Sequence, residues 1–266
     1  MQNLKILVMS CDKYEDCWAP YLECLHKFWE DCPYAAVLCT EHLESNLFSK
    51  TILCDGMWSK RVLTACDQLE SEFVLFTLDD FWLSRPVNTK RFDACMKLMC
   101  EIEDVGVVYL DAQSSKTYSD YYGFQDIPFG TPYRVSAGPA IWRVSFLKSI
   151  LKEEESAWDF ERIGSFREEG SRKHAVQTED RIWARVCTMG AIERGRWERS
   201  LTDFVQQNHI SADLSGRQVK SKADDWQKAV KNVIYNMNPS LILKVQNWLY
   251  IRKKKVHNGH NFWFSV

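Results

Sequence analysis

The strongest constraint on the fold is an alternation of short apolar runs with amphipathic segments over the first 110 residues of this 266-residue chain. The apolar runs predict strands over 4–9, 35–40, 50–55, 73–78 and 105–110. Apolar side chains at helical spacing predict helices over 17–31, 59–71 and 89–102. Strands alternating with helices predict an α/β domain with a mostly parallel central sheet flanked by helices.

The pattern becomes irregular beyond residue 111. Residues 111–134 are polar and aromatic and predict a long surface loop. The segment after them predicts a strand, a Gly-Pro turn and a helix over about 144–155, and 186–197 predicts a further strand. Asp225 is the last acidic residue, and 226–266 carry seven Lys and Arg. We therefore expect one domain over 1–225 and a basic, aromatic helical extension over 226–266.

Several classes of protein are excluded by missing motifs. The sequence contains no run of about 18 uncharged apolar residues, the length that a membrane-spanning helix needs. The acidic start MQNLKILVMSCDKYEDC is unlike a secretory signal. We therefore expect a cytoplasmic protein. The sequence has no GxGxxG or P-loop motif for nucleotide phosphates, no CxxC or HExxH for zinc, and no GxSxG for a serine hydrolase. The ten cysteines predict reduced, buried side chains.

The strongest candidate for chemistry is the pair Asp79-Asp80, which ends the apolar strand FVLFTL. Ligands of open α/β sheets bind beyond the carboxyl ends of the strands. Hard carboxylate oxygens at that edge suit Mg²⁺ or Mn²⁺, which binds one or two carboxylates together with substrate phosphates. The alternative is a solvated strand end or a helix cap.

A second acidic segment is ESAWDFE, residues 155–161. Asp159 or Glu161 is a candidate general base that takes the proton of a sugar hydroxyl. Trp158 is a candidate stacking platform for an acceptor ring. The alternative is a solvated acidic face that continues from 153–155.

A third acidic pair, Glu179-Asp180, opens the segment 178–190, which predicts an amphipathic helix. Asp180 is a further candidate for the base. The alternative is that both acids only stabilise the helix, because negative charge is favourable at a helix N-terminus.

The C-terminal segment has a membrane-surface pattern. Apolar side chains at helical spacing precede the basic run 252–255. This predicts that 240–256 form a helix lying on an anionic membrane surface. The alternative is a helix docked on the core with solvated lysines. Four basic residues are a weak footprint for nucleic acid, so no nucleic-acid partner is expected.

The order of several blocks resembles nucleotide-sugar glycosyltransferases of the GT-A fold, over about residues 4–220. The blocks are KILVMSCDKYEDCW, WSKR, FVLFTLDDFWL, YRVSAGPAIWRVSFLKSIL with ESAWDFE, and ERGRW. The chain is most similar to the small enzymes encoded with bacterial surface-polysaccharide genes, those for lipopolysaccharide, O-antigen and capsule. The resemblance implies a GT-A-like single domain.

The resemblance also implies roles for particular residues on the donor side. Asp79 and Asp80 match the DxD-type motif, with Asp80 the main ligand of Mn²⁺ or Mg²⁺, although Leu78 departs from strict DxD. The loop after the first strand contacts the nucleotide, and the start of the second helix faces the donor. These donor-side residues are Ser10, Asp12, Tyr14, Trp58, Ser59 and Arg61.

On the acceptor side, the resemblance implies that residues 136–142 line the site where the acceptor binds. Glu161, with Asp159 nearby, matches the acceptor-side carboxylates. Glu179-Asp180 resembles the xED motif, so Asp180 stays a second candidate for the base.

The implied activity is transfer of a hexose from a nucleoside diphosphate sugar, with a UDP-sugar favoured, onto a glycan or lipid-linked glycan at the inner face of the cytoplasmic membrane. One alternative is a sugar nucleotidyltransferase, but the first loop SCDKYEDC lacks the glycines and basic residues that such enzymes use for a triphosphate. Another is a catalytically silent carbohydrate-binding or scaffold protein on the same fold.

Overall fold

The computed structural model describes the chain in segments. They are 3–111, 120–121, 124–129, 131, 133–165, 167, 173–177, 181–187, 190–222, 224, 248 and 252. The chain divides into two compact units, Met1–Lys220 and Ser221–Val266. In the second unit the Arg252 guanidinium lies 5.1 Å from the centre of the Trp248 ring. The rest of the predicted extension 226–266 lies outside the described residues, so its membrane contact stays a prediction.

All named elements belong to the first unit. The strands are β1 (Leu4–Met9), β2 (Ala36–Thr40), β3 (Lys50–Leu53), β4 (Phe73–Leu78), β5 (Val105–Tyr109), β6 (Asp120–Tyr121), β7 (Phe124–Asp126), β8 (Ala140–Arg143), β9 (Lys173–Gln177), β10 (Ile192–Glu193) and β11 (Arg196–Trp197). The helices are α1 (Trp18–Phe28), α2 (Trp58–Leu69), α3 (Thr89–Glu101), α4 (Val144–Ile150), α5 (Ala157–Gly164) and α6 (Ser200–Asn208), and a 3₁₀ helix (Asp12–Cys17) precedes α1.

Within the described residues, nine strands form one sheet in the order β3-β2-β1-β4-β8-β5-β9-β7-β6. The first four strands of that order run parallel, as do β5 and β9. Strand β8 is antiparallel and separates β4 from β5. The α/β fold with a mostly parallel central sheet flanked by helices is therefore confirmed, and the carboxyl ends of β1, β2 and β4 meet at one edge.

The continuous apolar character of β4 follows from burial on both faces. Phe73 and Leu75 pack in a cluster with side chains of α1 and α3. Val74 and Phe76 point the other way and pack with side chains of α2, α4 and α5. The end of β4 is thus rigidly placed, and so are the residues that follow it.

No helix among the described residues combines the length and the apolar character that crossing a bilayer requires.

The predicted helix over 144–155 is wrong in its length. Helix α4 ends at Ile150, and α5 begins separately at Ala157. A capping box starts α5, since the Ser156 side chain accepts from the Asp159 N–H at 3.2 Å and the Asp159 carboxylate accepts from the Ser156 N–H at 3.0 Å. Such reciprocal bonds fix the N-terminus of α5, and the residues between the two helices, 151–156, are not helical.

The predicted helix over 178–190 is also wrong where the structure describes it, because 181–187 are not helical. Their backbone bonds go to other segments: Trp183 N–H donates to Leu110 O at 3.0 Å, and Val186 N–H donates to Trp82 O at 3.0 Å. These tertiary bonds replace the bonds of a helix.

The predicted strand over 186–197 is instead the short hairpin β10–β11. Arg194 and Gly195 form its turn with φ of 55° and 75°, the backbone that two-residue hairpin turns prefer. The predicted surface loop over 111–134 contains β6 and β7 at the end of the sheet. The strand predicted before the Gly-Pro turn is wrong in its position, because the strand of this segment, β8, follows the turn.

Gly106 of β5 gives a test of the core. A Cβ at this position would lie 2.2 Å from the Cδ1 atom of the Phe146 ring. We expect Gly106→Ala to lower the free energy of unfolding by about 1–3 kcal/mol, the usual cost of overpacking a core, in urea unfolding. The control is Gly216→Ala, where a Cβ would meet no atom within 4 Å. Equal stability of the two variants would contradict this packing.

Candidate active site

The turn after β4 places two buried aspartates at the sheet edge. Asp79 and Asp80 are 4% and 8% exposed. The Asp79 carboxylate accepts a hydrogen bond from the Ser10 hydroxyl, which in turn accepts from the Trp18 indole N–H at 2.7 Å. A second indole, that of Trp82, donates to the Asp79 carbonyl at 2.9 Å. The structure therefore brings the predicted residues Ser10 and Asp79 together and orients the carboxylate.

The Asp80 carboxylate lies directly against the backbone of Gly190. A Cβ at Gly190 would lie 2.2 Å from Asp80 Oδ2, and the φ of Gly190 is 104°. The backbone also links the two segments, since the Ala191 N–H donates to the Asp80 carbonyl at 2.7 Å. Only glycine combines this φ with this close approach.

Burial dominates the electrostatics of the pair. It raises the pKa of Asp80 to about 7, and the pKa of Asp79 rises well above its usual range through burial and the charge of Asp80. Neither carboxylate forms an ion pair with a described residue. Two adjacent buried acids that form no ion pair within the described part of the chain make a site that favours a bound cation.

The aspartate pair fits a divalent cation that is shared with a ligand. Among the described residues, no group of three or more His, Cys, Asp or Glu side chains could hold a metal ion. Mg²⁺ needs fewer protein ligands when phosphates and water complete its shell, since one or two carboxylates are then enough. Asp79 and Asp80 supply those hard oxygens.

Asp12 lies in the predicted nucleotide loop, but its carboxylate is bound to neighbouring strand ends. It accepts from the Thr40 hydroxyl at 2.9 Å and from the backbone N–H groups of His42 and Leu43 at 3.0 and 3.2 Å. Burial acts to raise the pKa of Asp12, but these hydrogen bonds outweigh it and hold the pKa below its usual range. The His42 ring joins Asp12 to Asp55, with Nε2 at 2.7 Å from Oδ1. Asp12 thus shapes the loop.

Tyr14 lies within the electrostatic influence of the aspartate pair. Its pKa rises to about 12 through burial and then through the charges of Asp80 and Asp79. The phenol therefore stays protonated and is a hydrogen-bond donor beside two acids. Tyr14 lies in the 3₁₀ helix after β1, and its contact with a nucleotide stays a prediction.

The three predicted donor residues of α2 have contacts that support the scaffold. The buried Ser59 hydroxyl accepts from the Glu155 N–H at 2.9 Å. Trp58 packs on Phe160, with ring centres 5.2 Å apart. The buried Arg61 guanidinium donates to the carbonyls at the ends of β1 and β2, those of Ser10 and Cys39, and pairs with Glu41 at 3.3 Å. Arg61 thus holds the two strand ends next to each other.

Glu161 of α5 is held by the segment that precedes β8. Its Oε1 accepts from the Ser136 hydroxyl at 3.1 Å and from the Ala137 N–H at 2.9 Å. Burial raises the pKa of Glu161 although these bonds act to lower it. The structure therefore joins Glu161 to the predicted acceptor segment 136–142. Asp159 instead belongs to the capping box of α5, and Asp180 lies outside the described residues.

Arg185 is a site residue that sequence reasoning missed. Its Nε donates to Asp111 Oδ2 at 2.9 Å, and its guanidinium lies 4.5 Å from the centre of the Phe81 ring. Burial raises the pKa of both Asp80 and Glu161, and the charge of Arg185 acts to lower both values. Asp111 follows the apolar run 105–110 as Asp79 follows β4, and that parallel was the available signal.

Comparisons with solved structures agree with this architecture. TarS of S. aureus matches with a TM-score of 0.50 and 14% identity, over 81% of this chain and 41% of that chain. A TarS fragment in complex with UDP-GlcNAc matches at 0.47 and 16%, over 68% and 57%. The bifunctional IspDF of Campylobacter jejuni matches at 0.45 and 11%, over 70% and 52%. No protein-family model and no curated protein matches the sequence.

Of these three, the likeness to TarS at a TM-score of 0.50 shows the fold and no more. The match covers 41% to 57% of the length of these three structures. At a TM-score of 0.50 and 14% identity, the likeness to TarS shows that the α/β sheet and its helices are arranged as in that protein.

Proposed function

We propose that this chain is a glycosyltransferase, which moves a hexose from a nucleoside diphosphate sugar to a glycan acceptor in the synthesis of bacterial surface polysaccharide. The observation that carries the proposal is the buried pair Asp79-Asp80 at the carboxyl edge of the sheet, with Arg185 acting electrostatically on both Asp80 and Glu161. This arrangement supplies a cation site for a diphosphate and a carboxylate for an acceptor.

On the donor side, Asp80 is the main cation ligand, and Asp79 is the second. When bound, Mn²⁺ or Mg²⁺ neutralises charge that develops on the leaving nucleoside diphosphate. Ser10 orients Asp79, and Gly190 leaves the space that the Asp80 carboxylate occupies. The protein thus presents both carboxylates in fixed positions before a ligand arrives.

On the acceptor side, Glu161 is the general base of an inverting reaction. The Ser136 hydroxyl and the Ala137 N–H donate hydrogen bonds to Oε1. Among the described residues, none donates a hydrogen bond to Oε2. Oε2 is therefore the atom that takes the proton from the acceptor hydroxyl in this proposal. A carboxyl with a raised pKa is a better base near neutral pH than an ordinary one, and Arg185 keeps its charged form accessible.

TarS gives further support for the donor class. Its fold is shared by this chain, and a TarS fragment has been solved with UDP-GlcNAc and with UDP. The loop after β1 argues against the nucleotidyltransferase alternative. Its 3₁₀ helix, Asp12–Cys17, contains no glycine and one lysine, whereas a glycine-rich loop is the usual cradle for a triphosphate.

The test is a pair of assays on the full chain with Mn²⁺ present. One incubates UDP-, GDP- and CDP-sugars with a panel of glycan acceptors and measures released nucleoside diphosphate, which we expect for at least one UDP-sugar. The other incubates UTP or CTP with sugar 1-phosphates and measures pyrophosphate. Pyrophosphate alone would identify a nucleotidyltransferase. The absence of both products, together with no thermal stabilisation by UDP or GDP with Mn²⁺, would indicate a silent scaffold.

A further inference from the structure

Arg185 lies on a segment that is bonded to the turn after β4. This segment, 181–187, runs beside the residues that directly follow the aspartate pair. The Val186 N–H donates to the Trp82 carbonyl at 3.0 Å, and Arg185 itself forms an antiparallel bridge with Leu83. The backbone of Arg185 is therefore fixed next to the candidate cation site.

The same segment is bonded to the part of the chain that holds Glu161. The Trp183 N–H donates to the Leu110 carbonyl at 3.0 Å, and the Leu110 N–H donates to the Pro139 carbonyl at 2.9 Å. Pro139 belongs to the segment 136–139, which donates two hydrogen bonds to the Glu161 carboxylate. Backbone bonds thus connect one short segment to both the cation site and the candidate base.

The Arg185 guanidinium is held by Asp111. Its Nε donates to Asp111 Oδ2 at 2.9 Å, and its Nη2 donates to the same oxygen. The other oxygen pairs with Arg181, whose Nε lies 3.1 Å from Oδ1. The centre of the Phe81 ring lies 4.5 Å from the Arg185 guanidinium. The side chains of Asp111 and Arg185 are 9% and 16% exposed, so this pair is well shielded from water.

Among the described residues, none accepts a hydrogen bond from the remaining nitrogen of this guanidinium, Nη1. Burial raises the pKa of Asp80 and of Glu161, and the charge of Arg185 acts to lower both values. Arg185 is thus within electrostatic reach of both carboxyls, yet within the described ranges it forms an ion pair with neither. A guanidinium that is oriented in advance and has a nitrogen to spare suits a phosphate oxygen.

We propose that Arg185 binds the β-phosphate of the donor through Nη1, and that Asp111 is a positioning residue that holds the guanidinium away from Asp80 and Glu161. The proposal rests on the proposed function and adds to it a contact with the leaving group. In a nucleoside diphosphate sugar the β-phosphate carries the sugar, so it lies between the cation and the acceptor hydroxyl. A fixed donor at that place stabilises the charge that develops on the leaving diphosphate.

The role of Asp111 follows from the charges around Arg185. A guanidinium without this partner would be drawn to the nearest carboxylate, since opposite charges attract strongly where water is excluded. On Asp80 it would compete with the cation, and on Glu161 it would compete with the proton of the acceptor. By holding Arg185, Asp111 keeps both carboxylates available.

The test of Arg185 is isothermal titration calorimetry of the full chain at pH 8 with Mn²⁺ alone, with UDP and Mn²⁺, and with UMP and Mn²⁺. We expect Arg185→Gln to bind UDP about 10- to 100-fold more weakly, the loss of one charge-assisted hydrogen bond. UMP lacks the β-phosphate, so its binding should change much less. Mn²⁺ alone should bind more tightly, because a positive charge near the aspartates is gone.

Arg181→Gln is the matched control. It removes the same charge from the same acid, but the Arg181 side chain is 46% exposed. This variant should bind all three probes as the parent does. A general weakening of the site would lower the affinity for Mn²⁺ and UDP together, whereas the proposal predicts opposite changes in Arg185→Gln.

The test of Asp111 is a double-mutant cycle with Arg185. Asp111→Asn should bind both UDP and Mn²⁺ alone more weakly, because the released guanidinium pairs with the site carboxylates. Adding Arg185→Gln to Asp111→Asn should restore Mn²⁺ binding to that of Arg185→Gln alone, since the effect of Asp111 acts through Arg185. A loss of Mn²⁺ binding that persists in the double variant would overturn the positioning role.

Urea unfolding checks that each variant folds. If Asp111→Asn does not fold, Arg185→Lys takes its place, because lysine keeps the charge but cannot present two donors in a fixed fork to Asp111. We then expect UDP binding almost as weak as in Arg185→Gln. Parent-like UDP binding by Arg185→Gln, equal weakening of UDP and UMP, or no binding of UDP by the parent chain would overturn the phosphate contact.

The outcome is separable from that of the proposed function. If Arg185→Gln binds UDP like the parent while the donor assay releases nucleoside diphosphate, the phosphate contact fails and the glycosyltransferase stands. If UDP binding depends on Arg185 but no sugar nucleotide is turned over with any acceptor, the glycosyltransferase fails and the phosphate contact stands.

Discussion

Asp80→Asn is expected to lower turnover of the donor sugar by about 100- to 1,000-fold, the usual cost of removing a group that stabilises charge in the transition state. The amide keeps the shape of the side chain against Gly190 but removes the charge that binds a cation. The measurement is release of nucleoside diphosphate at saturating Mn²⁺. The variant should also lose the thermal stabilisation by UDP that depends on Mn²⁺.

The stability of the Asp80→Asn variant should rise although its activity falls. The folded pKa of Asp80 is about 7, above the ordinary value of about 4. Ionising this group as the pH rises through that interval therefore costs folding free energy. Asp80→Asn removes the cost, so the variant should unfold at a higher temperature than the parent at pH 8. The control is Asp93→Asn, an exposed aspartate of α3. An Asp80→Asn protein with full activity would rule out the cation site.

Glu161→Gln is expected to lower turnover by about 100- to 10,000-fold, the range that a general base contributes. The amide oxygen still accepts from Ser136 and Ala137, so the fold around α5 is kept, but the side chain no longer takes a proton. In the parent chain, turnover should rise with pH through the raised pKa of Glu161, since only the ionised carboxylate is a base. That rise should be absent from the residual activity of the variant.

Three further substitutions separate the candidate bases. Glu154→Gln is the matched control, because Glu154 is exposed and precedes α5. Asp159→Asn should lower stability by about 1 kcal/mol through its capping box and leave the pH profile of turnover unchanged. Asp180→Asn tests the remaining candidate. If Asp180→Asn abolishes turnover and Glu161→Gln does not, the base is Asp180.

The sequence predicted the first half of the sheet well because local pattern and burial agree there. Strands β1 and β4 have the predicted bounds, since both are buried on two faces and end in polar residues. The failures come where tertiary contacts override the local pattern. The segment 181–187 has helical spacing, but its backbone bonds go to Leu110, Trp82 and Ser84, which no local pattern reveals.

The residues of the candidate site also fall into two groups, those that a local sequence pattern predicts and those that depend on tertiary contacts. Asp79, Asp80 and Glu161 were predictable, because an acid that ends an apolar strand or follows a tryptophan is visible in one stretch of sequence. Arg185 and Gly190 were not, since their importance depends on segments that come together only in three dimensions. Ser59 and Arg61 were predicted as donor contacts, but the contacts that the structure shows for them are with the scaffold.

The antiparallel strand β8 has a consequence for the order of folding. It pairs with β4 and β5, and both of these strands precede it in the chain. During synthesis β4 can pair with β1, but its other edge stays open until 140–143 leave the ribosome. Exposed strand edges promote misassembly of nascent chains. Asp80 receives its backbone partner Ala191 later still, so the aspartate pair matures among the last parts of the first unit, and slow translation before β8 would prolong the vulnerable interval.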